Sequence, residues 1–236
     1  MIHVAGVDGC RGGWMVVSFQ MNEGAVVKYD WNLCPRFQDV VISTERVDMV
    51  AVDMPIGLLR SPESGGRLCD RMARRLLGRR GSTIFSPPIR TWLNVTDYDE
   101  VRKQGMSRQA FGIFKKIQEV DQIMSPDLQR RIVEAHPELA FGSLSGQIPQ
   151  HNKKTPEGFR ERMASLAGFG FQIFKPLTSK FNDIRRSYSG GLVGKDDILD
   201  AGVLAWVAAR IRRRQAHCIP DNPMLDEKGL RMEIWF

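Results

Sequence analysis

Ile2-His3-Val4-Ala5-Gly6-Val7-Asp8-Gly9-Cys10-Arg11-Gly12-Gly13-Trp14-Met15-Val16-Val17 is the stretch whose reading decides the fold. Val4, Ala5 and Val7 give a short apolar run that ends on the carboxylate of Asp8. Gly9, Gly12 and Gly13 follow, and apolar sequence resumes at Trp14. The pattern reads as a buried strand, a tight turn and a second strand. Glycine in such a turn admits positive φ and lets the backbone come close to a phosphate or a metal. Taken alone, Asp8 reads as a turn residue bonding its own backbone. Carboxylates recurring at later strand and helix ends make it a candidate site residue.

Working outward, residues 14–20 form the second strand and Asn22-Glu23-Gly24 a turn. A third, antiparallel strand covers 25–31. The spacing predicts a short helix over 36–45, with Phe37, Val40 and Val41 on one side. Met49-Val50-Ala51-Val52 is continuously apolar, as in a strand covered on both faces, and it too ends on a carboxylate, Asp53. A meander, a helix and a fourth buried strand make half of an α/β fold. The whole chain, 1–236, reads as one domain with a mostly helical insertion at about 58–129.

Inside that insertion, 67–78 places Leu68, Met72, Ala73 and Leu76 on one helical face, with Gly78 as a stop. Arg67, Arg71, Arg74 and Arg75 lie mainly on the other face. With Arg79 and Arg80 they make six arginines in fourteen residues. A solvated basic face is the plain account; summed contacts to backbone phosphates are the functional one. Residues 107–124 read as a second helix whose stripe of Ala110, Phe111, Phe114, Ile117 and Val120 is structural.

Residues 131–138 resemble a strand running into a proline-started helix. Glu134 faces solvent if that strand is an edge, and the site if it is central. Glu138 suits the positive end of the helix, and His136 reads as a local hydrogen-bonding residue. Residues 147–155 are polar loop, 156–166 a helix capped near Thr155, and 175–191 a basic, irregular loop near a ligand. The last motif is Gly194-Lys195-Asp196-Asp197-Ile198-Leu199-Asp200-Ala201, opening an apolar helix to 214. Asp197, Asp200, Ala201, Leu204, Ala208 and Ile211 share one helical face that should pack on the sheet. Asp196 and Asp197 can be read as first-turn caps. Asp200 on a core-facing stripe needs a compensating cation. Residues 231–236 read as an edge strand.

Composition sets the bounds. The 236 residues are 42% hydrophobic and 26% charged, ordinary for a globular chain with a sizeable core. No apolar run approaches the ~20 residues that span a bilayer, and no signal segment is legible, which points to the cytoplasm. Four scattered cysteines read as reduced thiols, and four dispersed histidines offer no zinc pair. A net charge of +7 favours a polyanionic partner, DNA or RNA.

Carboxylates at two strand ends and one helix start converge if the strands are neighbours. Asp8, Asp53, Asp197 and Asp200 are then candidate ligands for Mg²⁺ or Mn²⁺, with Glu134 a further catalytic candidate. Two such ions about 3.5–4 Å apart would hold a scissile phosphate and activate water. Arg11, Arg67, Arg71, Arg74, Arg75 and Lys195 are the candidate phosphate contacts.

The motifs Gly6–Trp14, Val52-Asp53-Met54-Pro55-Ile56-Gly57 and Lys195–Ala201 resemble the uncharacterised domain family 429, described as predicted ribonuclease-H-like nucleases. More distantly, the acids are similar to those of Holliday-junction resolvases: an aspartate on the first strand, an acid ending the fourth and an Asp-x-x-Asp-Ala helix start. The departures are an aspartate at position 53 where those carry glutamate, and the large insertion after it. The resemblance implies a ribonuclease-H-like mixed sheet, a three-strand meander plus parallel strands, flanked by helices. It also implies a metal-dependent nuclease. Two other classes compete: an ATP-binding phosphotransferase of the actin and sugar-kinase type, and a nucleic-acid-binding module without turnover. The first usually carries two copies of the strand–Asp–Gly turn, and the sequence holds one.

Overall fold

A computed structural model of the chain describes residues 1–168, 188 and 190–236. The 175–191 loop falls almost wholly outside the described residues.

Five strands form one sheet in the order β3-β2-β1-β4-β5: β1 (Ile2–Cys10), β2 (Gly13–Asn22), β3 (Ala25–Cys34), β4 (Met49–Val52) and β5 (Ile132–Glu134). The first three are antiparallel, whereas β4 and β5 run parallel to β1. This is the mixed α/β arrangement that the sequence implies. Arg11-Gly12 turns β1 into β2, pairing Cys10 with Gly13. Gly13 has φ +130, and a Cβ there would stand 2.2 Å from the Cys34 carbonyl oxygen. The turn glycine is therefore required by the close passage of β3's end.

Strand alternation divides the core. Ala5, Val7, Val50, Val52 and Ile132 face one layer, built with α1 (Phe37–Ser43) and, from further along the chain, Ile117 and Val120. Val4, Met49, Ala51 and Val133 face the other layer, dominated by the helix Lys195–Arg212. That helix is buried all round from Ile198 to Ala209, as expected of one apolar on every side. It crosses the sheet over Gly6, where an added Cβ would stand 2.0 Å from the Ala201 carbonyl oxygen and 2.3 Å from the Ala205 nitrogen. Gly6 is the point where helix and strand backbones touch.

Between β4 and β5 run α2 (Leu68–Leu77), α3 (Tyr98–Arg102), α4 (Arg108–Gly112) and α5 (Phe114–Ile123), with 3-10 turns at Gly78–Thr83, Arg90–Asn94 and Leu128–Arg130. After β5 come α6 (Pro137–Ser145) and α7 (Pro156–Gly168), which cover the outer side of the long helix, α8 (Lys195–Arg212). Thr155 caps α7, its Oγ1 accepting from the Gly158 N–H at 3.1 Å.

Three expectations are corrected. The helix expected over 107–124 is two helices, broken at Ile113, whose φ −111 and ψ 8 leave the helical region. The buried face of α2 is Cys69, Asp70, Ala73 and Leu77, while Leu68 and Leu76 are exposed. A polar anchor, described below, turns Asp70 inward and rotates the helix away from its most apolar stripe. The C-terminal strand is shorter than the 231–236 expected and belongs to a separate two-stranded sheet. Here β6 (Cys218–Ile219) pairs with β7 (Ile234–Trp235), and Trp235 makes a lone bridge to Ala135. Among the described residues, no helix is long and apolar enough to cross a membrane, and all four cysteines are free thiols.

Candidate active site

The parallel pairing of β1 with β4 matches Gly6 to Ala51 and Val7 to Val52. Asp53 N–H donates to the Val7 carbonyl at 2.9 Å, so Asp8 and Asp53 leave the two strand ends side by side. By alternation both side chains belong to the face of Gly6 and Ala51, the face that α8 covers. α8 delivers Asp200, one residue before the carbonyl that rests on Gly6. Three acids distant in sequence thus meet at the carboxyl ends of neighbouring strands. Asp8 and Asp200 are buried, and Asp53 is half-buried.

The electrostatics follow from that crowding. Burial first, then the charges of Asp53 and Asp200, hold the Asp8 carboxyl well above the ordinary range. Burial raises Asp53 to about 7, with Asp200 adding to the rise and Lys153 opposing it. Asp200 is raised to about 6 for the same first reason, again against Lys153. Lys153, from the loop before α7, is the compensating cation: its Nζ lies 2.5 Å from Asp200 Oδ2 and 3.9 Å from Asp196 Oδ2. Asp200 Oδ1 is buried without a hydrogen-bond partner among the described residues.

Asp197 is also half-buried on the cleft wall, and its Oδ2 accepts the Gly194 N–H at 2.6 Å. That bond is the helix cap, as its position in the first turn suggests. Glu134 lines the same cleft and its charge adds to the rise at Asp53, but its own carboxylate is engaged elsewhere. Its Cα pairs with Val52, so alternation turns it toward the opposite face. There Arg67 grips it with Nη2 to Oε1 at 2.6 Å and Nη1 to Oε2 at 2.7 Å, and the Ile56 N–H donates to Oε2 at 2.7 Å. β5 is the sheet's edge, yet Glu134 is buried, gripped by Arg67 and beside the C-terminal segment whose Trp235 bridges to Ala135.

Arg67 is corrected in the same stroke. It is 1% exposed and spends its remaining donors on Asp70 and on the carbonyls of Ile56 and Gly57. It is a structural anchor, not a surface phosphate contact, and it is what turns Asp70 inward on α2. Arg71 bonds Glu63 and the Gly66 carbonyl, and Arg74 bonds Ile84, Gly65 and Ser86. Both pin loops of their own chain, and Arg75 is exposed on α2. Lys195 stands over the Phe159 ring at 5.6 Å and lines a neighbouring cleft. Only Arg11 among the expected cations is exposed on the wall of the acid-bearing cleft.

That cleft has a volume of about 550 Å³ and takes in Asp8, Asp53, Asp197, Arg11, Lys116, Lys153 and Lys154. A second recess of about 390 Å³ shares Asp53, Thr83, His136 and Lys153 and adds Asp200, Glu138 and Arg80. Burial lowers His136 to about 3, with Lys153 adding to the fall, so its ring is neutral. His136 Nδ1, Glu138 Oε2 and Arg80 Nε are, like Asp200 Oδ1, buried without a hydrogen-bond partner among the described residues. Arg80 and Arg162 both donate to Glu138 Oε1, at 2.9 and 2.6 Å.

Sequence reading missed Lys116, Lys153 and Lys154. Lys116 follows from no local pattern: its Nζ donates to the Gly13 carbonyl at 2.6 Å and sits over the Trp14 ring. The adjacent lysines before Thr155-Pro156 were visible, but nothing in the sequence brings that loop to Asp200. As their side chains stand, no three His, Cys, Asp or Glu among the described residues are spaced to hold a metal. Lys153 is the cation among the carboxylates.

Fold and site together define an α/β protein with an acidic cluster at the carboxyl ends of two parallel strands, rimmed by lysine and arginine. The chain belongs to the family described as "Protein of unknown function (DUF429)", whose model matches residues 6–225 and so spans every candidate acid. No curated protein matches the chain.

Proposed function

We propose that this chain is a divalent-metal-dependent nuclease that hydrolyses phosphodiester bonds of DNA or RNA, working in the cytoplasm. One observation carries the reading: Asp8, Asp53 and Asp200 converge at one end of the sheet, and Asp200 Oδ1 is buried with no partner among the described residues. Oxygen-only donors suit Mg²⁺ or Mn²⁺ and do not suit softer metals. On this reading Asp8, Asp53 and Asp200 would hold such an ion, with Asp197 at the rim, after their side chains move, since as they stand no three described acids are spaced to hold one.

When bound, the ion would supply a Lewis acid and a nucleophilic water at neutral pH. The remaining work falls to the chain. Arg11, Lys116 and Lys154 on the cleft wall attract the phosphate backbone. Lys153 holds the charge of Asp200 and fixes its carboxylate orientation. Burial raises Asp53 to about 7, so without a cation it is only partly ionised in neutral solution, and a bound cation would favour its ionised form.

Asp8→Asn tests the reading. The variant keeps the fold, since amide and carboxyl have one shape, and its Mn²⁺-dependent cleavage of single-stranded, duplex and branched substrates falls by more than the ~100-fold typical of outer-shell changes. Equal cleavage by the variant removes Asp8 from the mechanism. Salt-sensitive binding with no cleavage of any substrate by the wild type leaves a binding module instead.

A further inference from the structure

The cleft that Lys195 lines lies beside the acid-bearing one, between the starts of α7 and α8, and has a volume of about 560 Å³. The two clefts share Lys153, Lys154, Gly191, Gly194 and Asp196 as a common wall. Arg160 and Lys195 join the lining of the neighbouring cleft, so four cations face one carboxylate, Asp196, among the described residues. Like charges around one concave opening repel each other and focus a positive potential there. Two of the four are already engaged: Lys153 holds Asp200, and Arg160 reaches Glu157 on its own helix at 3.3 Å. Lys154 and Lys195 are exposed and form no ion pair among the described residues. Asp196, next to Lys195 in the chain, turns to Lys153 instead.

We infer that this neighbouring cleft takes a flanking phosphate of the nucleic-acid strand that lies at the acids. The strand crosses the shared wall of Lys153 and Lys154 and sets a phosphate against Lys154, Arg160 and Lys195. The chemistry matches: Lys154 and Lys195 are compact charges with spare donors, and Arg160 brings a planar fork for phosphate oxygens. The inference rests on the nucleic-acid reading above and deepens it by giving the strand one path. The arginine face of α2 is not that path, because Arg71 and Arg74 spend donors on Glu63, Ser86 and loop carbonyls of their own chain.

Strand binding without cleavage tests it. The full chain, with chelator present, is titrated against fluorescent single-stranded DNA and RNA by anisotropy over a series of salt concentrations. Lys154→Gln/Lys195→Gln is expected to flatten the plot of log affinity against log salt by about 0.7 for each contact removed, on the order of 1.4 for the pair. Lys154→Arg/Lys195→Arg is expected to keep the wild-type slope. Arg46→Gln/Lys103→Gln removes the same charge from exposed positions outside both clefts and is expected to leave the slope unchanged. A wild-type slope in the Lys154/Lys195 glutamine pair overturns the inference. So does equal flattening in the Arg46/Lys103 pair, which would make the effect one of net charge alone. No strand binding by the wild type overturns it as well. Inorganic phosphate held by these lysines, with strand binding indifferent to their loss, would make the cleft a place for a free anion and also overturns it. The Mn²⁺ cleavage assay is read separately. A flattened slope with no cleavage of any substrate keeps the inference and overturns the nuclease reading, and cleavage with an unchanged slope does the reverse. If the glutamine pair does not fold, Arg160→Gln, expected to flatten the slope by about 0.7, decides in its place.

Discussion

At the scale of the residue, acids of the same type meet opposite fates, and strand parity decides which. Asp8 and Asp53 share a face with Gly6 and Ala51; Glu134, paired with Val52, falls on the other face and into the grip of Arg67. The sequence exposes the strand ends but not this parity, since it says where β5 stops and not how it is registered against β4. Lys153 was illegible for another reason: its partner is 47 residues away, and no periodicity links a polar loop to a helix. Arg67→Met should destabilise the protein by about 3–5 kcal/mol in urea unfolding, because Glu134 and Asp70 stay buried without their counter-ion. A change under ~1 kcal/mol would mean that water reaches the pair. The raised acids make a second prediction. Burial and neighbouring carboxylates hold Asp53 at about 7 and Asp200 at about 6, above the ~4 of an unfolded chain. The metal-free folded state therefore binds extra protons between about pH 4 and 7, and its stability falls as pH rises through that window. Melting midpoints across it should decline for the wild type and decline less for Asp53→Asn. Equal slopes would show that Asp53 does not carry the effect.

At the scale of the element, the opening glycines have separate duties that one composition signal conceals. Beyond the phosphate approach expected of the turn glycines, three of the opening glycines act as spacers between parts of the chain. Gly6 admits α8, Gly13 admits the end of β3, and Gly12 lies against Leu192, whose carbonyl accepts the Gly12 N–H at 2.8 Å. The strand–turn–strand itself was legible because alternation and glycine punctuation are local. The helix that lies on it was legible as apolar, but its contact point was not. Gly6→Ala should cost the upper end of the roughly 1–3 kcal/mol of an overpacked core, or more, because the obstructing atoms are main chain and cannot rotate aside. Denaturant unfolding measures it, and a neutral substitution would mean that α8 lifts freely from β1. α2 teaches the same lesson from the polar side. Its apolar stripe predicted one buried face, and a buried ion pair selected another, leaving Leu68 and Leu76 in solvent.

At the scale of the whole molecule, the insertion between β4 and β5 is clamped by the C-terminal segment. Arg90 bonds Asp121, Asp226 and Glu227, and Lys228 bonds Asp121. Asp226 also receives the N–H groups of Leu58, Lys228 and Leu230, at 3.1, 2.8 and 2.9 Å. Such long-range clasps leave no trace in local sequence, and residues 226–230 carried no reading of their own. Asp226→Ala should speed amide hydrogen exchange at both Leu58 and Leu230, with little change in the central strand β1. Protection unchanged at Leu58 would show that the insertion holds without the clamp. The contact at Gly6 has one more implication. The gap between the acid carried by α8 and the acids carried by the strands is set by main chain resting on main chain, a spacer with no rotamers. Core residues around it can be redesigned for heat resistance while the spacing of the acids stays as it is, so robustness and the geometry of the acidic cluster become independently adjustable in this fold.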